Sequence, residues 1–135
     1  MILVDSSVWV DFFSSSPGKG GDELRRLISA GEPLALAGII VVEVLQGLTR
    51  DPGRIESFLS EFDLLEPAGF ETYRTAASIF RKARAKGISP STSDALIAAI
   101  AVEHGVPIFT LDHDFSRLVP LTPLKLYSVS PDRIN

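Results

Sequence analysis

The sequence predicts an α/β domain, a three-layer α/β/α sandwich around a mainly parallel sheet. Short apolar runs rich in β-branched residues alternate with longer stretches of helical periodicity, which is the pattern of right-handed βαβ units. A length of 135 residues suits a single domain spanning residues 1–135 and is enough to bury a core without cross-links. Two of the apolar runs end on an aspartate, Asp5 and Asp112, at the carboxyl ends of strands where open sheets of this kind bind ligands.

The elements follow in order. Ile2 to Val4 reads as a buried strand ending at Asp5. Ser6 and Ser7 offer helix N-caps, and Val8, Trp9, Phe12 and Phe13 follow at helical spacing. Residues 14–21 (SSSPGKGG) are the most loop-like stretch and are expected to be mobile. Asp22 is expected to cap the next helix, with Leu24, Leu27 and Ile28 on one face. Leu34 to Ala37 is a second strand. Residues 39–49 form a helix so apolar that it is expected to be largely buried, with Glu43 and Gln46 as its polar members. A shorter helix covers 52–62, and Leu64 and Leu65 make a weak third strand. A long amphipathic helix over 70–86 is stopped by Gly87, and another over 91–104 by Gly105. Residues 107–111 form a strand ending at Asp112, 115–118 a short helix, and 124–129 a final strand.

Composition narrows the function. The chain has no cysteine, which excludes disulfides, thiolate zinc sites and thiol catalysis and suits a reducing compartment. The N-terminus lacks the basic and long apolar regions of a signal peptide, and no apolar run is long enough for a bilayer, so a cytoplasmic protein without membrane contact is expected. The net charge of −4 argues against holding nucleic acid by charge over the whole surface. Setting aside Asp5, Glu43, Asp94 and Asp112 leaves acids and bases equal in number, so the acidic excess is no larger than one metal site.

Each of these four acids has a plain structural reading beside a chemical one. Asp5 suits a turn or cap as well as a site. No Gly-rich loop follows it, which argues against a phosphate loop or dinucleotide fold. Glu43 is surrounded in sequence by apolar residues, where a lone carboxylate is costly unless paired or metal-bound. Ser91 and Asp94 have capping-box spacing, yet the helix they open is nearly all apolar and its N-terminus favours anions. Asp112 lies in a turn with His113 and Asp114. Together these hard oxygen ligands suit Mg²⁺ or Mn²⁺ and phosphodiester hydrolysis by a metal-activated water. His104 and His113 are too few for zinc and read as helix-end and turn residues. Trp9 reads as core. Arg81, Lys82, Arg84 and Lys86 form a basic patch that is either a solvated helix end or a guide for an RNA backbone.

The segments Ile2–Asp11, Glu43–Gly47, Ser93–Ala98 and Pro107–Phe115, in this order and over essentially the whole chain, resemble the PIN-domain family, specifically its VapC-type toxins. The resemblance implies an Mg²⁺- or Mn²⁺-dependent endoribonuclease, the toxin of a type II toxin–antitoxin pair. It maps the family's acidic quartet onto Asp5, Glu43, Asp94 and Asp112, with Asp5, Asp94 and Asp112 taken as the metal ligands and Ser6 and Asp114 beside them. It also implies an RNA substrate, a cognate antitoxin protein and a homodimer. The alternatives are a binding module with little catalysis, a structure-specific DNA nuclease and a small phosphatase. An amphipathic partner segment is expected to dock beside residues 14–21 and the Leu24, Leu27, Ile28 face.

Overall fold

The computed structural model describes residues 1–129. In chain order it contains β1 (Ile2–Val4), α1 (Ser6–Phe13), α2 (Lys19–Ser29), β2 (Leu34–Ala37), α3 (Gly38–Gly47), α4 (Pro52–Leu59), β3 (Asp63–Leu65), α5 (Phe70–Ala85), α6 (Thr92–His104), β4 (Ile108–Phe109) and α7 (Asp114–Leu118). A 3₁₀ turn, Val119–Leu121, follows. The four strands form one sheet in the order β3-β2-β1-β4, and every pairing is parallel. Leu3 lies opposite Ala35 on one side and Ile108 on the other. All four residues of β2 are buried, as are Leu3 and Val4, so these strands are covered on both faces, as parallel strands between helical layers must be. The three-layer α/β/α architecture is therefore the one the alternation predicts. No helix among the described residues is long and apolar enough to cross a membrane.

The strands differ from expectation at the β4 edge. That strand spans two residues rather than 107–111. Phe109 C=O accepts the Asp5 amide at 2.9 Å, and Thr110 then turns its hydroxyl to Asp5, so the chain leaves the ladder there. With so short a neighbour, residues 124–129 make only a bridge: Leu126 lies opposite Ile108, which donates to Lys125 C=O and accepts from the Tyr127 amide.

The stretch read as a loop is one over residues 14–18, but its last three residues, Lys19, Gly20 and Gly21, already belong to α2. Asp11, on α1, reaches across to accept the Gly18 amide at 3.1 Å and the Gly21 amide at 2.7 Å, supplying from a distance the cap that Asp22 was expected to give. Glycine allows the approach: a Cβ on Gly21 would lie 3.0 Å from the backbone N and Cα of Phe12. Leu24 and Leu27 face inward and are 0% and 2% exposed, so they belong to the core and form no docking groove.

Helix α3 corrects a second expectation. Only Ile40 and Val44 are buried, while Val42 is 54% exposed and Glu43 is partly exposed. Apolar composition without a clear stripe does not say which way a helix faces. Helices α5 and α6 end as expected, at Gly87 and Gly105, which take φ of 77° and 65°. Trp9 is fully buried and packs with Phe12, Phe13, Phe58 and Phe62, as a core residue.

Candidate active site at the carboxyl edge of the sheet

Asp5 leaves the end of β1 and takes the position of an N-cap for α1, but its side chain makes no cap hydrogen bond. Its Oδ2 instead accepts from Ser7 Oγ at 2.9 Å and from Thr110 Oγ1 at 2.8 Å. Both hydroxyls also fix the neighbouring turn: Ser7 Oγ accepts the Leu111 amide at 3.0 Å, and Thr110 Oγ1 accepts the Asp112 amide at 3.0 Å. Asp5, 4% exposed, is thus locked to the segment that carries Asp112. The sequence alone reads Ser7 as a cap and Thr110 as strand. The only sequence signal of their role is a hydroxyl beside each strand-end aspartate.

Asp112 lies three residues beyond the end of β4, and its Oδ1 accepts the Asp114 amide at 2.9 Å. Asp94 enters from the first turn of α6, where Ser91 Oγ accepts the Asp94 amide at 3.0 Å. The capping reading of Asp94 therefore holds, and it does not compete with a chemical one. Asp94, Asp112 and Asp114 each bring a carboxylate oxygen to within 4.8 Å of the others. Asp114 thus joins Asp94 and Asp112, whereas Asp5 is held next to them by its hydroxyl bonds. Glu43 sits between Ser6 Oγ and Ser93 Oγ, each donating at 3.4 Å.

Electrostatics bind the group together. Burial raises the proton affinity of Glu43 above the ordinary carboxylate range, and the charges of Asp5 and Asp94 add to it against the hydrogen bonds from Ser93 and Ser6. Asp94 is raised first by burial and then by the charges of Asp112 and Asp5, against the bonds from Ser91. Among the described residues no Lys or Arg forms an ion pair with any of Asp5, Glu43, Asp94, Asp112 or Asp114. Five acids, from the end of β1, α3, α6 and the start of α7 with the turn before it, therefore meet with hydroxyl partners on Asp5 and Glu43 and no ion-paired Lys or Arg among the described residues. A hard divalent cation fits such a donor set. His104 Nε2 instead pairs with Glu66 C=O, and His113 stands at the start of α7, so neither joins the acids.

The PIN domain family model matches residues 2–119. The chain belongs to the PIN domain family. Within it the likeness is to the VapC type. The chain is 34% identical over 132 residues to VapC ribonuclease Mb1587 of Mycobacterium bovis and equally to ribonuclease VapC11 of Mycobacterium tuberculosis, covering 95% of this chain and 98% of each relative. Solved structures agree at the level of fold. VapBC2 from Rickettsia felis, bound to a DNA fragment from its promoter, superposes with a TM-score of 0.73 at 19% identity over 96% of this chain and 100% of that one. FitAcB from Neisseria gonorrhoeae gives 0.70 at 20% identity over 95% and 97%.

Proposed function

We propose that this PIN domain is a divalent-metal-dependent endoribonuclease and the toxin of a type II toxin–antitoxin pair. The observation that carries the chemistry is the cluster of five acids, without a cationic partner among the described residues, at the carboxyl edge of a parallel sheet. The naming of VapC relatives as ribonucleases supports RNA as the substrate, and the likeness to a toxin–antitoxin complex from Klebsiella pneumoniae supports an antitoxin as partner; a homodimer is what the VapC resemblance implies. Asp94 and Asp112 would hold Mg²⁺ or Mn²⁺, with Asp5 beside them through its free oxygen and Asp114 as a further donor. Bound there, the ion would polarise the phosphate and lower the pKa of a water. Glu43, whose proton affinity is raised, is suited to orient that water and take its proton. Ser7 and Thr110 keep Asp5 oriented, and Ser6 and Ser93 keep Glu43.

The test is the chemistry of the cut ends. Hydrolysis by water should leave 5′-phosphate and 3′-hydroxyl termini and should stop in excess EDTA. Products ending in 2′,3′-cyclic phosphate, or cleavage that persists in EDTA, would overturn the mechanism.

A further inference from the structure

Beside the acids lies a second feature that the proposed chemistry does not use. Helices α5 and α6 pack together, and between them opens a cleft of about 400 Å³ bordered by Tyr73, Ala77, Phe80, Arg81, Thr92 and Leu96. That size falls within the roughly 300–1,000 Å³ of clefts that take small ligands. Its inner end reaches the acidic site through the chain itself, because Thr92 is followed by Ser93, which donates to Glu43, and by Asp94.

The cleft wall has a defined chemistry. Tyr73, Ala77, Phe80 and Arg81 line it from one side of α5, and Arg84 follows on the same side one turn beyond the cleft. Tyr73 is 53% exposed, so its ring is open to a ligand at the edge of the cleft. The Arg84 guanidinium lies 5.9 Å from the centroid of the Phe80 ring. Arg81, Lys82, Arg84 and Lys86 are all exposed, and among the described residues none of them forms an ion pair. In a chain of net charge −4 this is a local excess of positive charge on the last turns of α5, joined to the α6 N-terminus that carries Asp94 by the cleft that Arg81 and Thr92 both line.

We infer that this cleft is a track for a single-stranded segment of the RNA, in which Tyr73 and Phe80 receive bases while Arg81 at its edge and Arg84 just beyond it receive backbone phosphates; the inference rests on the ribonuclease reading above. Ring faces accept any base, and guanidiniums grip phosphate in a paired, planar way, so the combination suits single strands. It also answers an electrostatic need. Five clustered acids repel a polyanion, and cations beside them lower that cost where the strand enters. The cleft itself is mostly apolar and suits the faces of bases, while the exposed, unpaired cations on the last turns of α5 beside it favour a strand that carries phosphates over an apolar protein segment.

The experiment uses the full chain in Mn²⁺ with two substrates, a short mixed-sequence oligoribonucleotide and the small diester bis(p-nitrophenyl) phosphate, and follows sedimentation of each protein. Tyr73→Leu and the double change Arg81→Ala, Arg84→Ala should each raise the KM for RNA on the order of tenfold. They should leave hydrolysis of the small diester and the sedimenting mass unchanged. Tyr73→Phe, which keeps the ring, should behave as the parent. The double variant should also flatten the logarithmic salt dependence of RNA binding by about 0.7 for each phosphate that is no longer neutralised. An RNA KM that does not move in either variant overturns the track. So does a fall in the sedimenting mass of the variants, which would assign the cleft to a second copy of the chain. A parent that hydrolyses the small diester but not RNA overturns the ribonuclease reading instead.

Discussion

Asp94 serves two roles, and the two make opposite demands on its charge. As a residue in the first turn of α6 it gains from the helix dipole, a contribution of about 0.3–1 kcal/mol. As one of five clustered acids it is destabilised by burial and by Asp112 and Asp5. Asp94→Asn removes the repulsion and keeps the backbone bond from its amide to Ser91. In EDTA the variant is expected to melt no lower than the parent. In Mn²⁺ the parent should gain stability by mass action, about 2.7 kcal/mol at a hundredfold excess over Kd, and the variant much less. Thermal melts of both proteins under both conditions decide the matter. A variant that melts lower in EDTA and responds equally to Mn²⁺ would reduce Asp94 to a cap and dissolve the site. Asp5 and Asp112 stood out in the sequence because each ends an apolar run, and Glu43 because its neighbours are apolar, although a cap or turn explained Asp5, Asp94 and Asp112 equally well. The hydroxyls that hold Asp5 did not stand out. Ser7 and Thr110 make their bonds to Asp5 across separations of 2 and 105 residues, and the longer of these leaves no local pattern.

Elements were legible where their own residues decide them and illegible where a distant residue does. Helix α6 could be bounded from Ser91 and Gly105 because both ends are capped locally. Helix α2 could not, since its cap is the Asp11 carboxylate on α1 and its first turn depends on glycines that meet other elements. The two glycines differ in a way that can be measured. A Cβ on Gly20 would fall 2.6 Å from a methyl of Leu111, but that side chain is 45% exposed and can swing aside. A Cβ on Gly21 would press on the backbone of Phe12 and on the Asp11 carboxylate, both 3.0 Å away, and neither yields cheaply. Alanine gains up to about 1 kcal/mol over glycine within a helix. Gly20→Ala is therefore expected to be close to neutral. Gly21→Ala is expected to cost about 1–2 kcal/mol net, since overpacking typically costs about 1–3 kcal/mol. Urea denaturation of the two variants checks this, and equal stabilities would mean that the α1–α2 contact is looser than its geometry implies. Helix α3 failed for a different reason: its sequence is apolar on all sides, so periodicity could give its existence but not its buried face.

At the scale of the molecule, the parallel sheet gathers acids from four separate elements at one edge, so the protein as a whole answers to pH through them. Glu43 and Asp94 both bind protons more tightly in the folded chain than in the unfolded one. The sign follows from linkage: where the folded state holds more protons, stability falls as pH rises. The contribution of these two acids to metal-free stability is thus complete below the ordinary carboxylate range and is lost as pH climbs through their raised values. A divalent ion inverts the dependence, because it binds the deprotonated acids and competes with protons for them. In EDTA the melting temperature of Asp94→Asn should therefore gain on that of the parent as pH rises through the mildly acidic range. In saturating Mn²⁺ the parent should gain on the variant over the same range. Taking the difference between the two proteins cancels the many acids they share, so the sign of the slope reports this site alone. A difference that stays flat across the range in EDTA, or that slopes the other way, would mean that the cluster is relaxed by solvent and that its acids do not share one field.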